Sequence, residues 1–345
     1  MNPEQKATSN TPNSVDRRAL LLGSGAAALG LCAYRWGSRY SAPPAPVFVA
    51  RGQRYDGPLE QTIRDGLIAA GLNTRSLKGK RVLLKPNLVQ PGRDHPHVTT
   101  HPAMIVAAAE VFRRFGASVV VGEGPGHVRD TDLILSESGV HDALLGTRIE
   151  YVDLNYDDSR PTKNLGRTSA LKEFHFPRAV LEADLVVSMP KLKSHHWVGM
   201  TAAMKNMYGI LPGLIYGWPK NVLHHAGIPE TVYDINASLP NMIAIVDAIT
   251  CMEGDGPIMG TAKPLGMIAI STSAAAADAT CARIMGLAPE RISYLQLAER
   301  RSAPIAERSI EQRGERWQDL ASPFEILDRP HLRQLRMATV SMPRG

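Results

Sequence analysis

From about Pro46 onward, short apolar runs alternate with longer amphipathic stretches, and this alternation sets the architecture to expect. Val47 to Ala50, Arg81 to Leu84, Ser118 to Val121, Asp184 to Ser188, Met242 to Val246 and Gly266 to Ser271 are apolar or β-branched runs bounded by Gly, Pro, Asn or charge, as buried strands are. Between them, Leu59 to Leu72, Pro102 to Phe115, Asp130 to Leu145, Thr201 to Tyr208, Ala274 to Met285 and Pro289 to Arg300 repeat apolar residues at helical spacing. Pro102 and Pro289 are placed as first-turn prolines. Continuously apolar strands need cover on both faces, so the pattern predicts an α/β fold with a mostly parallel sheet flanked by helices. Length and a break near residues 155–172 point to two lobes around a central crevice.

The first 45 residues follow a different pattern. A polar lead ends in Arg17-Arg18, and Ala19 to Tyr34 is an apolar run rich in Gly and Ala, too short for a comfortable membrane span. Arginines paired before Leu20 and Leu21 read as a twin-arginine export signal; a basic flank before a membrane anchor is the competing reading. An exported, periplasmic or exterior location follows, with the twin-arginine machinery as a partner and membrane attachment only through this segment if it is retained. The organisation expected is signal and linker over 1–45, an α/β domain over 46–300, and a charged, solvated tail over 301–345.

Charge adds less than its total implies. The net charge is +6, and residues 1–54 hold seven basic residues against two acidic ones, so five of the six excess charges lie there. The rest of the chain is nearly neutral and has no basic stripe interleaved with aromatics, which argues against nucleic acid as a partner. Of three cysteines, only Cys251 and Cys281 lie in the body, so no iron–sulfur cluster is expected from this chain and no disulfide can be assigned.

The candidate chemistry gathers beyond the apolar run that ends at Pro190. Lys191, Lys193, His195 and His196 follow it, then Met204-Lys205-Asn206 and Gly209-Ile-Leu-Pro-Gly213. An open α/β sheet keeps its ligands past its strand ends, so these residues are expected in a loop facing the crevice. Lys85, Lys191, Lys193 and Lys205 all fall just past strand ends or at a helix start, where an unpaired lysine is costly to bury and must meet an anion or water. Lys85, Asn87, Lys191 and Asn206 are candidate binders of a small anionic ligand, and Lys193, Lys205 and His195 are the candidate catalytic groups. Imidazole is the usual acid/base near neutral pH.

Histidines also cluster at His95, His97 and His101 and at His224-His225. None of these groups has the spacing of a helical metalloprotease motif, which disfavours a zinc hydrolase. The carboxylates Glu123, Asp247 and Glu253 stand at or just past strand ends and are candidate ligands for a divalent metal. Glu123 lies in Gly122-Glu-Gly-Pro-Gly126, which lacks the spacing of a dinucleotide fingerprint.

The succession Val82-Leu-Leu-Lys-Pro-Asn87, Thr99-Thr-His-Pro102, Gly116 to Gly126, Pro190-Lys-Leu-Lys-Ser-His195, Met204-Lys-Asn206, Gly209 to Gly213 and Met252-Glu-Gly-Asp-Gly-Pro257 resembles the family called domain of unknown function 362, from about Val47 to Glu299. The resemblance implies little about activity. Family members usually carry an aspartate about five residues before the position of Asp278; here Ser273 stands there, which puts a metal pair built from both acids in doubt. A fainter likeness, carried by the early Lys-Pro, His195 or His196 before Lys205, the Leu-Pro-Gly turn and Asn221-Val-Leu-His224-His225, is to the nickel-pincer lactate racemases. It implies histidines that exchange a proton or hydride with a 2-hydroxy acid and a lysine that anchors a cofactor. Two readings follow: an enzyme acting on a small carboxylate-bearing anion, and a binding protein that holds an anionic metabolite, metal or cofactor without chemistry.

Overall fold

The computed structural model describes residues 43–338 apart from Pro91 and Pro240, and the segment read as an export signal lies outside the described residues. Twelve strands are found among them: β1 (Ala45–Ala50), β2 (Arg81–Pro86), β3 (Ser118–Glu123), β4 (Glu150–Asp153), β5 (Ser159–Lys163), β6 (Glu173–Pro177), β7 (Leu185–Met189), β8 (Lys191–His195), β9 (Gly199–Thr201), β10 (Met242–Glu253), β11 (Thr261–Ser271) and β12 (Ile310–Gly314). One sheet orders as β12-β1-β11-β10-β7-β2-β3-β4, with β8 paired to the far part of β10 and β9 to β8. Its centre, from β10 through β7, β2 and β3 to β4, is parallel. Strand β11 is antiparallel to both neighbours. All six strands expected from apolar runs are present, and the mostly parallel α/β architecture holds.

Helices cover both faces. On one face, Val82 and Leu84 join a core cluster with Ile63 and Leu67 of α1 (Leu59–Ala69) and Ile105 and Phe112 of α2 (Pro102–Arg114). On the other, Leu83 joins a second cluster that includes Met204, Ile235 and Cys281. Adjacent residues of β2 thus point to opposite cores, which is why the strand reads as an unbroken apolar run. The amphipathic stretch 130–145 is two helices, α3 (Thr131–Glu137) and α4 (Val140–Thr147), split at Gly139, whose φ of +76° suits glycine.

Two expectations of organisation are corrected. The body from Pro44 on is one compact unit built on one ten-stranded sheet with a two-stranded antiparallel ribbon, β5–β6, beside it, not two lobes. The segment near 155–172 that read as a boundary is stitched down instead: Asn164, Thr168 and Ser169 all donate to the buried carboxylate of Asp234. Nor is the stretch from residue 301 a solvated tail. Strand β12 adds in parallel to β1, and Phe324 is fully buried.

Candidate active site

The strand ends on the carboxyl side of the sheet build the site. Strand β2 alternates Leu83 in the core with Lys85 two residues on, so Lys85 emerges on the same face just where β2 ends. Parallel register sets Glu123 at the end of the neighbouring β3. Lys85 Nζ donates to Glu123 Oε2 at 2.7 Å and to Asn206 Oδ1 at 2.8 Å. Glu123 also accepts from the backbone N–H of Leu88 and Gly124. Burial pulls the Lys85 ammonium below the ordinary lysine range, against the opposing pull of Glu123. Gly209 lies directly over this pair, and a Cβ there would collide with both Glu123 Oε1 and Lys85 Nζ.

Beyond the pair opens a cavity of about 490 Å³. It is lined by four lysines, Lys85, Lys193, Lys205 and Lys220, and by His127, His195, His196 and His224. Against them stand buried Glu123 and, half exposed, Asp255, which lies 3.5 Å from His196. Among the described residues Lys193 Nζ reaches only the carbonyl of Val98, at 3.0 Å. Lys220 Nζ donates to the carbonyls of Gly124 and Tyr208. Lys205 has no oxygen partner among the described residues; its ammonium lies 3.8 Å from the ring centre of Tyr208. Burial, reinforced by neighbouring lysines, brings each of these three to about 7. For Lys220 a counter-pull comes from Glu123 and Asp153.

Two of the imidazoles, His195 and His224, are neutral and oriented. His195 Nδ1 accepts the N–H of Trp197, so its proton sits on Nε2 and can be donated. His224 Nδ1 lies 3.0 Å from the carbonyl of Lys220, which requires the proton on Nδ1 and leaves the Nε2 lone pair open. Burial, with Lys205 next in effect, holds His195 well below the ordinary histidine value and His224 at about 4. Burial also lowers His127. The site therefore offers one imidazole donor and one imidazole acceptor.

The expected residues divide accordingly. Lys85, Asn87, Lys193, His195, Lys205 and Asn206 line the one cavity. Asn87 Oδ1 is buried without a hydrogen-bond partner among the described residues; a ligand anion can be met only by its amide N–H₂. Asn206 has no amide hydrogen to spare: it accepts from Lys85 Nζ and donates to the Lys85 carbonyl and Ser188, so it positions Lys85. Lys191 is a correction. It lies outside the cavity, bonded at 2.6 Å to Asp247 and at 2.7 Å to the hydroxyl of Tyr55. Asp247 further accepts from Tyr55 and from the His101 and Ile249 N–H groups, which completes a buried structural knot.

The metal set is a second correction. Glu123 is held by Lys85, Asp247 by Lys191 and Glu253 by Lys263 at 2.9 Å, so each carboxylate neutralises a different lysine. No group of three His, Cys, Asp or Glu side chains able to hold a metal exists among the described residues. The expected loop after Pro190 is also a strand. Lys191, Lys193 and His195 alternate along β8 with buried Leu192 and Ser194, and Pro190 shifts the chain from β7 to the far part of β10.

Lys220, His127 and Trp197 were not singled out by sequence reasoning. Lys220 follows Pro219 and adopts a left-handed φ of +66° as it starts the helix Asn221–His225, a strained position for a side-chain-bearing residue. Nothing in the local pattern distinguishes it from a surface lysine.

The family model described as Domain of unknown function (DUF362) matches residues 82–283, which span every cavity lysine. The chain belongs to the DUF362 family. Over 263 residues it is 28% identical to the thylakoid-associated protein sll1697 of Synechocystis sp., covering 74% of this chain and 78% of that relative. Among solved structures, the lactate racemase apoprotein from Thermoanaerobacterium thermosaccharolyticum aligns with a TM-score of 0.43 and 14% identity, over 70% of this chain and 57% of that one. This DUF362 chain thus spans little more than half the length of that racemase. No helix among the described residues is long and apolar enough to cross a membrane.

Proposed function

We propose that the protein is an exported enzyme that acts on a small anionic, carboxylate-bearing substrate bound in the lysine-lined cavity. The observation that carries this reading is charge: four lysines line the cavity, and among the described residues only Lys85 has a carboxylate partner. Desolvated cations without counter-ions are a cost to the empty protein, and an anion relieves it. In this reading Lys193 and Lys220 hold the carboxylate, Asn87 adds a neutral hydrogen bond, and Lys205 sits at the reacting end. His195 donates a hydrogen bond from Nε2 to the substrate oxygen while His224 accepts a proton at Nε2, an electrophile and a base matched by their tautomers. The twin-arginine reading of the amino terminus supports export, and the thylakoid association in the relative's name is compatible with folded-protein export.

Thermal melts and calorimetry with pyruvate, lactate, succinate and inorganic phosphate, against neutral amides of the same acids, test the proposal. Acids are expected to raise Tm and the amides not to. Lys193→Ala and His195→Ala are expected to abolish turnover of the acid that stabilises best while the protein stays folded. The affinity has a defined pH sense: lysines near 7 bind an anion best when protonated, so Kd weakens as pH rises from about 7 to 9. Stabilisation by acids without any turnover would convert the reading to a binding protein, and equal effects of acids and amides would end it.

A further inference from the structure

We propose that Lys205 is a nucleophilic amine that forms an imine with the carbonyl carbon of a 2-oxo acid held in the cavity. The inference rests on the anion-binding reading above and adds a reaction to it. Among the cavity lysines, Lys205 is set apart by what it lacks. Lys85 is locked to Glu123 and Asn206, Lys193 donates to Val98, and Lys220 donates to Gly124 and Tyr208. Lys205 makes no hydrogen bond among the described residues, and the Tyr208 ring face steadies it without occupying its lone pair. It is also less deeply buried than Lys85, Lys193 and Lys220. An amine in a desolvated pocket beside another cation is the arrangement that makes lysine nucleophilic at neutral pH, and burial and Lys85 bring Lys205 to about 7.

The surrounding groups fit the step. The charged and titratable residues that face Lys205 are Lys85 from β2, Lys193 and His195 from β8, His127 from the loop after β3, and Lys220 and His224 from the segment 220–225. Of the two carboxylates that line the same cavity, Glu123 is engaged by Lys85 and Asp255 lies beside His196, so neither pairs with Lys205. In the reaction the neutral Nζ attacks the carbonyl carbon, forming a C–N bond, and the nitrogen's proton passes to the carbonyl oxygen to give a carbinolamine. The second nitrogen proton then passes to His224 Nε2, and the imidazolium so formed protonates the departing hydroxyl as the C–O bond breaks, releasing one water and leaving the neutral imine, while His195 Nε2–H donates a hydrogen bond to the oxygen and keeps its proton. His224 Nε2 thus carries the proton from nitrogen to oxygen and ends as it began.

Reduction by cyanoborohydride in the presence of glyoxylate at pH 7, followed by peptide mass mapping, tests the proposal on the whole protein. One reduced adduct is expected on the peptide carrying Lys205, formed on the order of tenfold to a hundredfold faster than at the exposed Lys78 and Lys163. Its rate should rise with pH through about 7, and Lys205→Arg should bind the acid, melt like the parent and form no adduct. Glyoxylate and lactate both raising Tm while labelling falls only on surface lysines, or on Lys193 or Lys220, overturns the imine and leaves the anion site standing. Neither acid raising Tm, with no adduct, removes both.

Discussion

At the scale of single residues, the buried Lys85–Glu123 pair anchors the site, and its two halves are unequal in what their loss would do. Glu123→Ala leaves a buried ammonium without its counter-ion beside three other lysines, and removing one partner of a buried pair costs about 3–5 kcal/mol. Urea denaturation is expected to show a loss of that size, with part of it recovered when an anionic ligand is present. Lys85→Met instead removes the charge that Glu123 answers, and the Leu88 and Gly124 N–H groups still satisfy the carboxylate. The smaller loss expected there, read by the same titration, separates a charge-compensation role from simple packing. Without ligand, the three lysines near 7 stand well below the 10.5 of an unfolded lysine. The unfolded chain therefore binds more protons between about pH 7 and 10, and the empty protein gains stability as pH rises through that window.

Elements carry the residues to their places, and the two positions left in doubt by the sequence, Asp278 and Ser273, turn out to be helix devices. Asp278 is fully buried and accepts the N–H groups of Ala203 and Met204, capping from a distance the short helix Ala203–Asn206 that presents Lys205. Burial pushes its carboxyl up to about 7. Ser273 caps the helix Ala274–Ile284 by accepting from the N–H of Ala276, a task an aspartate performs equally well. Ser273→Asp is therefore expected to leave Tm and metal content unchanged, whereas Ser273→Ala loses about 1 kcal/mol; denaturation and elemental analysis of the two variants check this. The parallel sheet, its covering helices and the Lys85, Lys193, Lys205 and His195 cluster were legible because unbroken apolar runs and strand-end lysines are local signals. Partner choice was not, since Lys191 with Asp247 and Lys263 with Glu253 depend on which strands become neighbours. The edge strands β4 and β12 and the separate β5 strand were missed for a related reason: largely exposed, they carry too few apolar residues to stand out.

On the scale of the whole molecule, the carboxyl-terminal stretch closes the sheet. Strand β12 covers the outer side of β1 over five registered positions, Arg283 donates to the carbonyl of Ile305, and buried Phe324 fills the second core cluster. A chain ending at Arg308 exposes the β1 edge and that core together, and is expected to be recovered as aggregate or to melt without a cooperative transition by circular dichroism. Phe324→Ala, which keeps the strand, is expected to fold with a loss of about 3–5 kcal/mol.

Gly209 sets the ceiling above Lys85 and Glu123, and only a hydrogen atom fits beneath it. That single position works as a diagnostic for sorting related chains by their letters alone. A relative that carries any side chain there has rebuilt the floor of its cavity, whatever lysines it retains, and should not inherit a ligand assignment made on this one.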